Sequence, residues 1–377
     1  MLQDGHTAMR ITLVSASMSA GGAERVMSIL ANAWASQEHK VTLVTLTSVA
    51  DDFYSISPFV TRVGLGLVKE STGISERLIS GFKRIRALRS TIQCTKPDIV
   101  ISFIDQMNVT TLLALVGTGI PVVVSERASP LRYKSVWVWR FLRRLSYPFA
   151  SALVIQSSTL ISWARRHVRP NRVYVIPNPV IMNATGPGEA LHLSPYILAM
   201  GRLTSQKGFD YLIEAFALCA QNHPTWRLVI LGEGDERAAL KTLVTSKQLS
   251  ERVLMPGIQQ DTNRWLKQAD LFVLSSRFEG FPNALLEAMA AGLAVISFAC
   301  ESGPADIVDH GVNGLLVPEG DIEALADAMN ALMAHDLLRL SLGEKALEVR
   351  DRFNIRTILG LWDEVMNRIV SVSAKSR

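Results

Sequence analysis

The sequence predicts two α/β domains, each a doubly wound, Rossmann-like parallel sheet, followed by a terminal helix. Three observations carry this expectation. Short apolar runs alternate with longer helical patterns along the chain, as βαβ units require. A breaker-rich stretch, Pro177-Asn178-Pro179 followed by residues 183–187, interrupts the alternation near its middle. At 377 residues, 48% of them hydrophobic, the chain is long enough to bury two cores.

In the first half the apolar runs read as strands at 10–15, 40–46, 98–102, 122–125, 152–155 and 173–176. Helical patterns lie between them, for example at 23–36 and 75–93. The alternation restarts at 196–200 and continues with 227–231, 253–255, 271–274, 294–297 and 315–317. A last helical pattern covers 354–370. The expected division is a first domain at 1–184, a second at 185–355 and a terminal helix at 356–377. Doubly wound sheets bind ligands outside the carboxyl ends of their strands, so the loops after these strands are the places to search.

Charge is unevenly spread. Residues 1–184 hold 21 Lys+Arg against 10 Asp+Glu, a net of +11; residues 185–377 hold 18 against 24, a net of −6. Residues 127–188 contain ten basic side chains and no acidic one. Such asymmetry implies an anionic partner for the first half. No nucleic-acid recognition motif accompanies it. Cys94, Cys219 and Cys300 show neither metal spacing nor a disulfide framework, which fits a reducing compartment. The first residues lack a signal-peptide core, and no apolar run reaches the roughly 20 residues of a membrane span. The expectation is a cytoplasmic protein, soluble or peripheral on the inner face of the membrane. The seven histidines have no His-x3-His spacing and Asp-x-Asp is absent, so neither a metal nor a cofactor is expected.

The richest stretch is Ser275-Ser276-Arg277-Phe278-Glu279-Gly280-Phe281-Pro282-Asn283-Ala284-Leu285-Leu286-Glu287, directly after the apolar run 271–274. It reads as strand, loop and helix, with one carboxylate in the loop and another inside the helix. A helix N-terminus offers unpaired N–H groups and partial positive charge, which suit phosphate. Pro282 and Asn283 stand where such a helix begins. Glu279 suits sugar hydroxyls and Glu287 a vicinal diol such as ribose. The plain alternative is an amphipathic helix with two solvated glutamates. After the run 196–200 come Gly201-Arg202-Leu203-Thr204-Ser205-Gln206-Lys207-Gly208. Arg202 and Lys207 are either loop cations in water or a fixed anion site.

Together with Gly303-Pro304-Ala305-Asp306 and Asn313-Gly314-Leu315-Leu316, these segments resemble the Glu-x7-Glu region of glycosyltransferase family 4, retaining enzymes of the GT-B fold. The resemblance implies two domains facing across a cleft, with the terminal helix crossing back to the first. It implies a nucleotide-diphosphate sugar donor, expected to be a UDP-sugar. Members acting on cell-surface polysaccharide, lipopolysaccharide or lipid-linked saccharide are similar, so a lipid-linked saccharide is the expected acceptor. Residue by residue, Arg202 and Lys207 would hold the diphosphate and Glu279 the sugar. Gly280, Phe281, Pro282, Asn283, Ala284 and Glu287 would complete the donor site. Gly232 and Ile258 would lie near the base, and Gly21 and Gly22 near the phosphates and acceptor. Many members carry a histidine where this chain has Glu126-Arg127. Glu126 is an acceptor-side base, an orienting group or half of an ion pair; Arg127 binds an acceptor phosphate or is ion-paired; Asp105 is a second acceptor-side candidate. Two other functions stay open: a nucleotide-sugar epimerase or hydrolase on the same fold, and a non-catalytic nucleotide-sugar-binding protein.

Residues 133–147 and 82–89 mix aromatics with cations. They fit a helix lying on an anionic membrane surface, or aromatic packing against the domain core.

Overall fold

The computed structural model describes residues 8–67, 74–132, 136–181, 191, 193 and 195–375. The linker expected at 183–187 and the segment Tyr133-Lys134-Ser135 lie outside the described residues. The chain divides into two units, Met1–Pro179 with Ile358–Arg377, and Val180–Thr357.

The first unit holds a seven-stranded sheet of β1 (Arg10–Ser15), β2 (Lys40–Thr45), β3 (Thr61–Gly64), β4 (Ile99–Phe103), β5 (Val122–Ser125), β6 (Ala152–Ile155) and β7 (Val173–Val175). The order is β3-β2-β1-β4-β5-β6-β7, and all these pairings are parallel. Helices Ile74–Thr95, Asp105–Leu115 and Trp137–Ser146 pack side by side. The helix Ile355–Lys375 joins this unit from Ile358 onward. Its Trp362 is buried, edge-on to Trp34 at 5.9 Å and stacked near Phe103 at 6.4 Å.

The second unit holds six parallel strands: β8 (Tyr196–Met200), β9 (Arg227–Leu231), β10 (Val253–Gly257), β11 (Leu271–Leu274), β12 (Ala294–Phe298) and β13 (Leu315–Val317). Their order is β10-β9-β8-β11-β12-β13. The two-residue side-chain period of a strand fills a core on each face. From β8, Ile197 and Ala199 enter one cluster, while Tyr196, Leu198 and Met200 enter the other. Strands buried on both faces read as continuous apolar runs, which is why they stand out in the sequence.

The sequence reading omits β3. This edge strand is four residues long and half-buried. Its Arg62 sends Nη2 to Asp52 Oδ1 at 2.7 Å and Nη1 to Val63 O at 2.9 Å. A charged, solvated edge has no apolar run to announce it. Among the described residues no helix is long and apolar enough to cross a membrane. The three cysteines are free thiols.

Candidate active site

In the second sheet the strand order reverses between β8 and β11. The carboxyl side of such a reversal forms a crevice in open α/β sheets. Lys207 comes from the loop after β8 and Glu279 from the loop after β11. They meet there, with Lys207 Nζ 2.6 Å from Glu279 Oε1. The same oxygen accepts a hydrogen bond from Ser276 Oγ at 2.6 Å. Glu279 is buried, and its backbone carbonyl accepts from Ser302 Oγ at 2.6 Å. One carboxylate is thus fixed by two donors from different loops. Arg202, on the β8 loop, is exposed and makes no side-chain hydrogen bond or ion pair with a described residue. An exposed guanidinium and a lysine on the same loop put positive charge after β8, which suits an anionic group.

The helix Asn283–Ala290 begins at this loop, with Pro282 as its N-cap. Gly280, Phe281 and Pro282 are buried, and Asn283 and Ala284 are partly open. Phe281 lies edge-on to Phe353 at 5.5 Å within the apolar core, so only its backbone is available to a ligand. Glu287 is buried on the same helix. Three backbone hydrogen bonds stitch the loops after β8, β9 and β10: Gly201 N to Leu231 O, Leu203 N to Glu233 O and Gly232 N to Gly257 O, at 2.8–3.0 Å. Ile258, just beyond β10, is half-exposed.

The sequence reading gave Arg277 and Asp210 no role, yet they bolt the two central loops together. Arg277 Nη1 and Nη2 reach the Asp210 carboxylate at 2.9 and 2.6 Å, Nη1 donates to Ser205 O at 2.6 Å, and the guanidinium lies 4.0 Å over Tyr211. Ser276 and Ser302 likewise have no role in that reading. The available signal was position: Arg277 lies two residues before Glu279 and Asp210 three after Lys207.

The remaining candidates belong to the first unit. Gly21 follows β1 in ordinary extended backbone, φ −144°, and caps the helix Gly22–Ser36. Its carbonyl accepts from Tyr54 Oη at 3.1 Å. Glu126 follows β5 but is buried, 3% exposed. Tyr147 Oη donates to its Oε1 at 2.5 Å, Arg143 Nη1 lies 3.8 Å away, and Asn108 Nδ2 donates to Tyr147 Oη at 3.1 Å. The Glu126 carboxyl is thus tied into the interior through Oε1. Arg127 Nη1 donates to Asn178 Oδ1 at 2.7 Å, and its guanidinium lies 3.7 Å over Phe103. Asp105 is buried at the start of its helix, and its Oδ1 accepts from Gln106 N at 2.7 Å.

Burial pushes the Glu126 carboxyl from 4.5 up to about 7, against the pull of Arg143 and the Tyr147 hydroxyl. Below pH 4.5 it is protonated in both folded and unfolded chains. Between 4.5 and about 7 the unfolded chain releases the proton and the folded chain keeps it. Stability therefore falls as pH rises through this window. Glu126→Gln is expected to flatten that fall in a series of thermal melts. Identical slopes of Tm against pH in parent and variant would refute the assignment.

The family model described as Glycosyltransferase Family 4 matches residues 20–183, and that described as Glycosyl transferases group 1 matches residues 190–349. The chain is 29% identical over 356 residues to the GalNAc-alpha-(1->4)-GalNAc-alpha-(1->3)-diNAcBac-PP-undecaprenol alpha-1,4-N-acetyl-D-galactosaminyltransferase of Campylobacter jejuni, covering 94% of this chain and 97% of that protein. It is 38% identical over 179 residues to the lipopolysaccharide core biosynthesis glycosyltransferase LpsE of Rhizobium meliloti, covering 45% of this chain and 51% of that protein. Among solved structures, sucrose-phosphate synthase of Thermosynechococcus elongatus aligns with a TM-score of 0.83 at 20% identity, over 97% of this chain and 100% of that one. Anabaena HepE in complex with UDP and glucose aligns with a TM-score of 0.78 at 21% identity, over 96% and 100%. At these identities the structural likeness is one of fold.

Proposed function

The chain belongs to the family 4 glycosyltransferases, enzymes of GT-B fold, and on that premise we propose that it moves a sugar from a UDP-sugar to a hydroxyl of a lipid-linked saccharide, with retention at the anomeric carbon. The observation that carries the donor half is the meeting of Lys207 and Glu279 at the reversal of the second sheet. Departure of a nucleoside diphosphate builds negative charge on phosphate oxygens. Arg202 and Lys207 stabilise that charge, Lys207 from a position held by Glu279. Glu279 accepts hydrogen bonds from the sugar, and Glu287 from the ribose. The backbone of Gly280, Phe281, Pro282, Asn283 and Ala284 lines the phosphates at the helix N-terminus. Gly232 and Ile258 border the base. The UDP part rests on HepE, whose structure holds UDP and glucose. The lipid-linked acceptor rests on the Campylobacter relative, whose name gives a PP-undecaprenol saccharide.

The deciding experiment is release of nucleoside diphosphate from UDP-sugars and GDP-sugars, with and without a bacterial membrane lipid extract. Release from a UDP-sugar only when the extract is present supports transfer. Acceptor-independent release would point to hydrolysis, and release from GDP-sugars alone would overturn the choice of base.

The protein's own cations take the part that a divalent metal plays in other transferases. Turnover is therefore expected to survive chelation. Loss of activity in EDTA that Mg²⁺ or Mn²⁺ restores would refute this.

A further inference from the structure

The helix Trp137–Ser146 is turned inside out relative to an ordinary surface helix. Its inward side carries Trp139, Leu142, Arg143 and Ser146, and of these Arg143 and Ser146 are buried. Arg143 faces Glu126 and lies 5.2 Å over Trp163. Large apolar side chains point outward instead. Trp137 is 73% exposed, Phe141 56% and Leu145 53%, and Phe149, just past the helix, is 75% exposed. At 100° per residue, Trp137, Phe141 and Leu145 span about 80° of the helical wheel, and Arg140 and Arg144 span about 40° directly beside them. Both of those arginines are exposed. The acid-free run of residues 127–188 leaves no carboxylate on this helix.

A second helix of this layer carries similar exposed side chains. Trp137–Ser146 packs on Asp105–Leu115, which packs on Ile74–Thr95. The last of these exposes Phe82 beside Lys83 and Arg86. Arg89 of the same helix is engaged instead: its Nη1 donates to Ala114 O and Val116 O at 2.9 Å, closing the end of the middle helix. The outward side chains thus mix apolar groups with Arg140, Arg144, Lys83 and Arg86, while Arg143 is held inside.

We propose that this face of the first unit docks on an anionic lipid bilayer, with Trp137, Phe141, Leu145 and Phe149 entering the headgroup boundary and Arg140, Arg144, Lys83 and Arg86 resting among anionic headgroups. The charge pattern selects a bilayer as the occupant. A lipid interface accepts aromatic rings and cations side by side, because the long cationic stems reach back to the headgroups while the rings sink below them. A protein partner would have to match each arginine with a carboxylate while covering the rings between them. The proposal deepens the transfer reading, since a lipid-linked acceptor lies in such a surface. It is tested by binding alone, so the two can fail separately.

The test is co-sedimentation of the full chain with vesicles of phosphatidylcholine, or of phosphatidylcholine with phosphatidylglycerol. Binding is expected only with phosphatidylglycerol, and it should fall at high salt as surface potentials are screened. Each surface cation contributes on the order of fivefold to binding. Arg140→Ser with Arg144→Ser should therefore weaken binding by roughly 25-fold. Trp137→Ser with Phe141→Ser should weaken it as well, and independently of salt. All four side chains are solvent-exposed, so both variants should keep the parent Tm. The same loss of two charges in the second unit, Lys241→Ser with Lys247→Ser, should leave binding unchanged. No binding by the parent at low salt would overturn the proposal. So would equal binding by the face variants and the parent, or burial of this face in a dimer that the Trp137 and Phe141 substitutions dissociate.

Discussion

Alanine at Arg202 or Lys207 is expected to lower turnover by roughly a hundredfold to a thousandfold, equivalent to about 2.7–4 kcal/mol of lost transition-state stabilisation. The two substitutions should differ in stability. Arg202 is exposed, so Arg202→Ala should keep the parent Tm and lose turnover alone. Lys207 shields a buried carboxylate at 2.6 Å. Its removal leaves Glu279 with Ser276 as the remaining side-chain donor of those two, and stranding a buried charge is destabilising. Lys207→Ala should therefore lose both turnover and Tm. Steady-state kinetics beside thermal melts separate the two effects. Near-normal turnover in both variants would remove Arg202 and Lys207 from the chemistry.

The second large effect is structural. Gly208 has φ +60°, and a Cβ there would lie 2.1 Å from Ser275 O; Gly232 has φ +142°, and its Cβ would lie 1.9 Å from Gly201 O. Both contacts are with backbone, which cannot swing aside. Left-handed strain of about 1–2 kcal/mol and overpacking of about 1–3 kcal/mol should each apply. Alanine at either position is expected to cost about 2–5 kcal/mol, roughly 5–15 °C in melting of the second unit. Gly311 supplies the control: its φ is +76°, but nothing stands within 4 Å of a Cβ. Gly311→Ala should show the strain alone, about 1–2 kcal/mol. Equal losses at Gly208, Gly232 and Gly311 in calorimetry would show that the backbone contacts are not what demands glycine. Because Gly208 adjoins Lys207, its variant should also lower turnover in the fraction that stays folded.

The central strands and the loops after them were legible because buried parallel strands are apolar along their whole length. Lys207 and Glu279 could be marked from chain position, since each follows such a strand. That the two share one site came from the family resemblance alone, because strand order is set by crossovers that leave no mark in the local pattern. The helix Trp137–Ser146 shows a different limit. It carries two competing stripes, one through residues 139, 142, 143 and 146 and one through 137, 141 and 145. Each has helical spacing, so periodicity alone does not say which faces the sheet. The structure puts Arg143 inside and Arg140 and Arg144 outside. Arg89 likewise counts as a surface cation in the sequence, whereas its hydrogen bonds close a neighbouring helix. Glu126 looked available beside β5 and is enclosed, because its surroundings come from helices that start ten and more residues away.

Trp362 fills the space beside Trp34 and Phe103, yet the chain builds all of residues 180–357 before it makes Trp362. At 5–20 residues per second the ribosome spends roughly 10–35 s on that interval. Through this time the nascent first unit carries an open aromatic hollow while the second unit emerges and folds. The order of completion is thus inverted: the unit translated first is finished last.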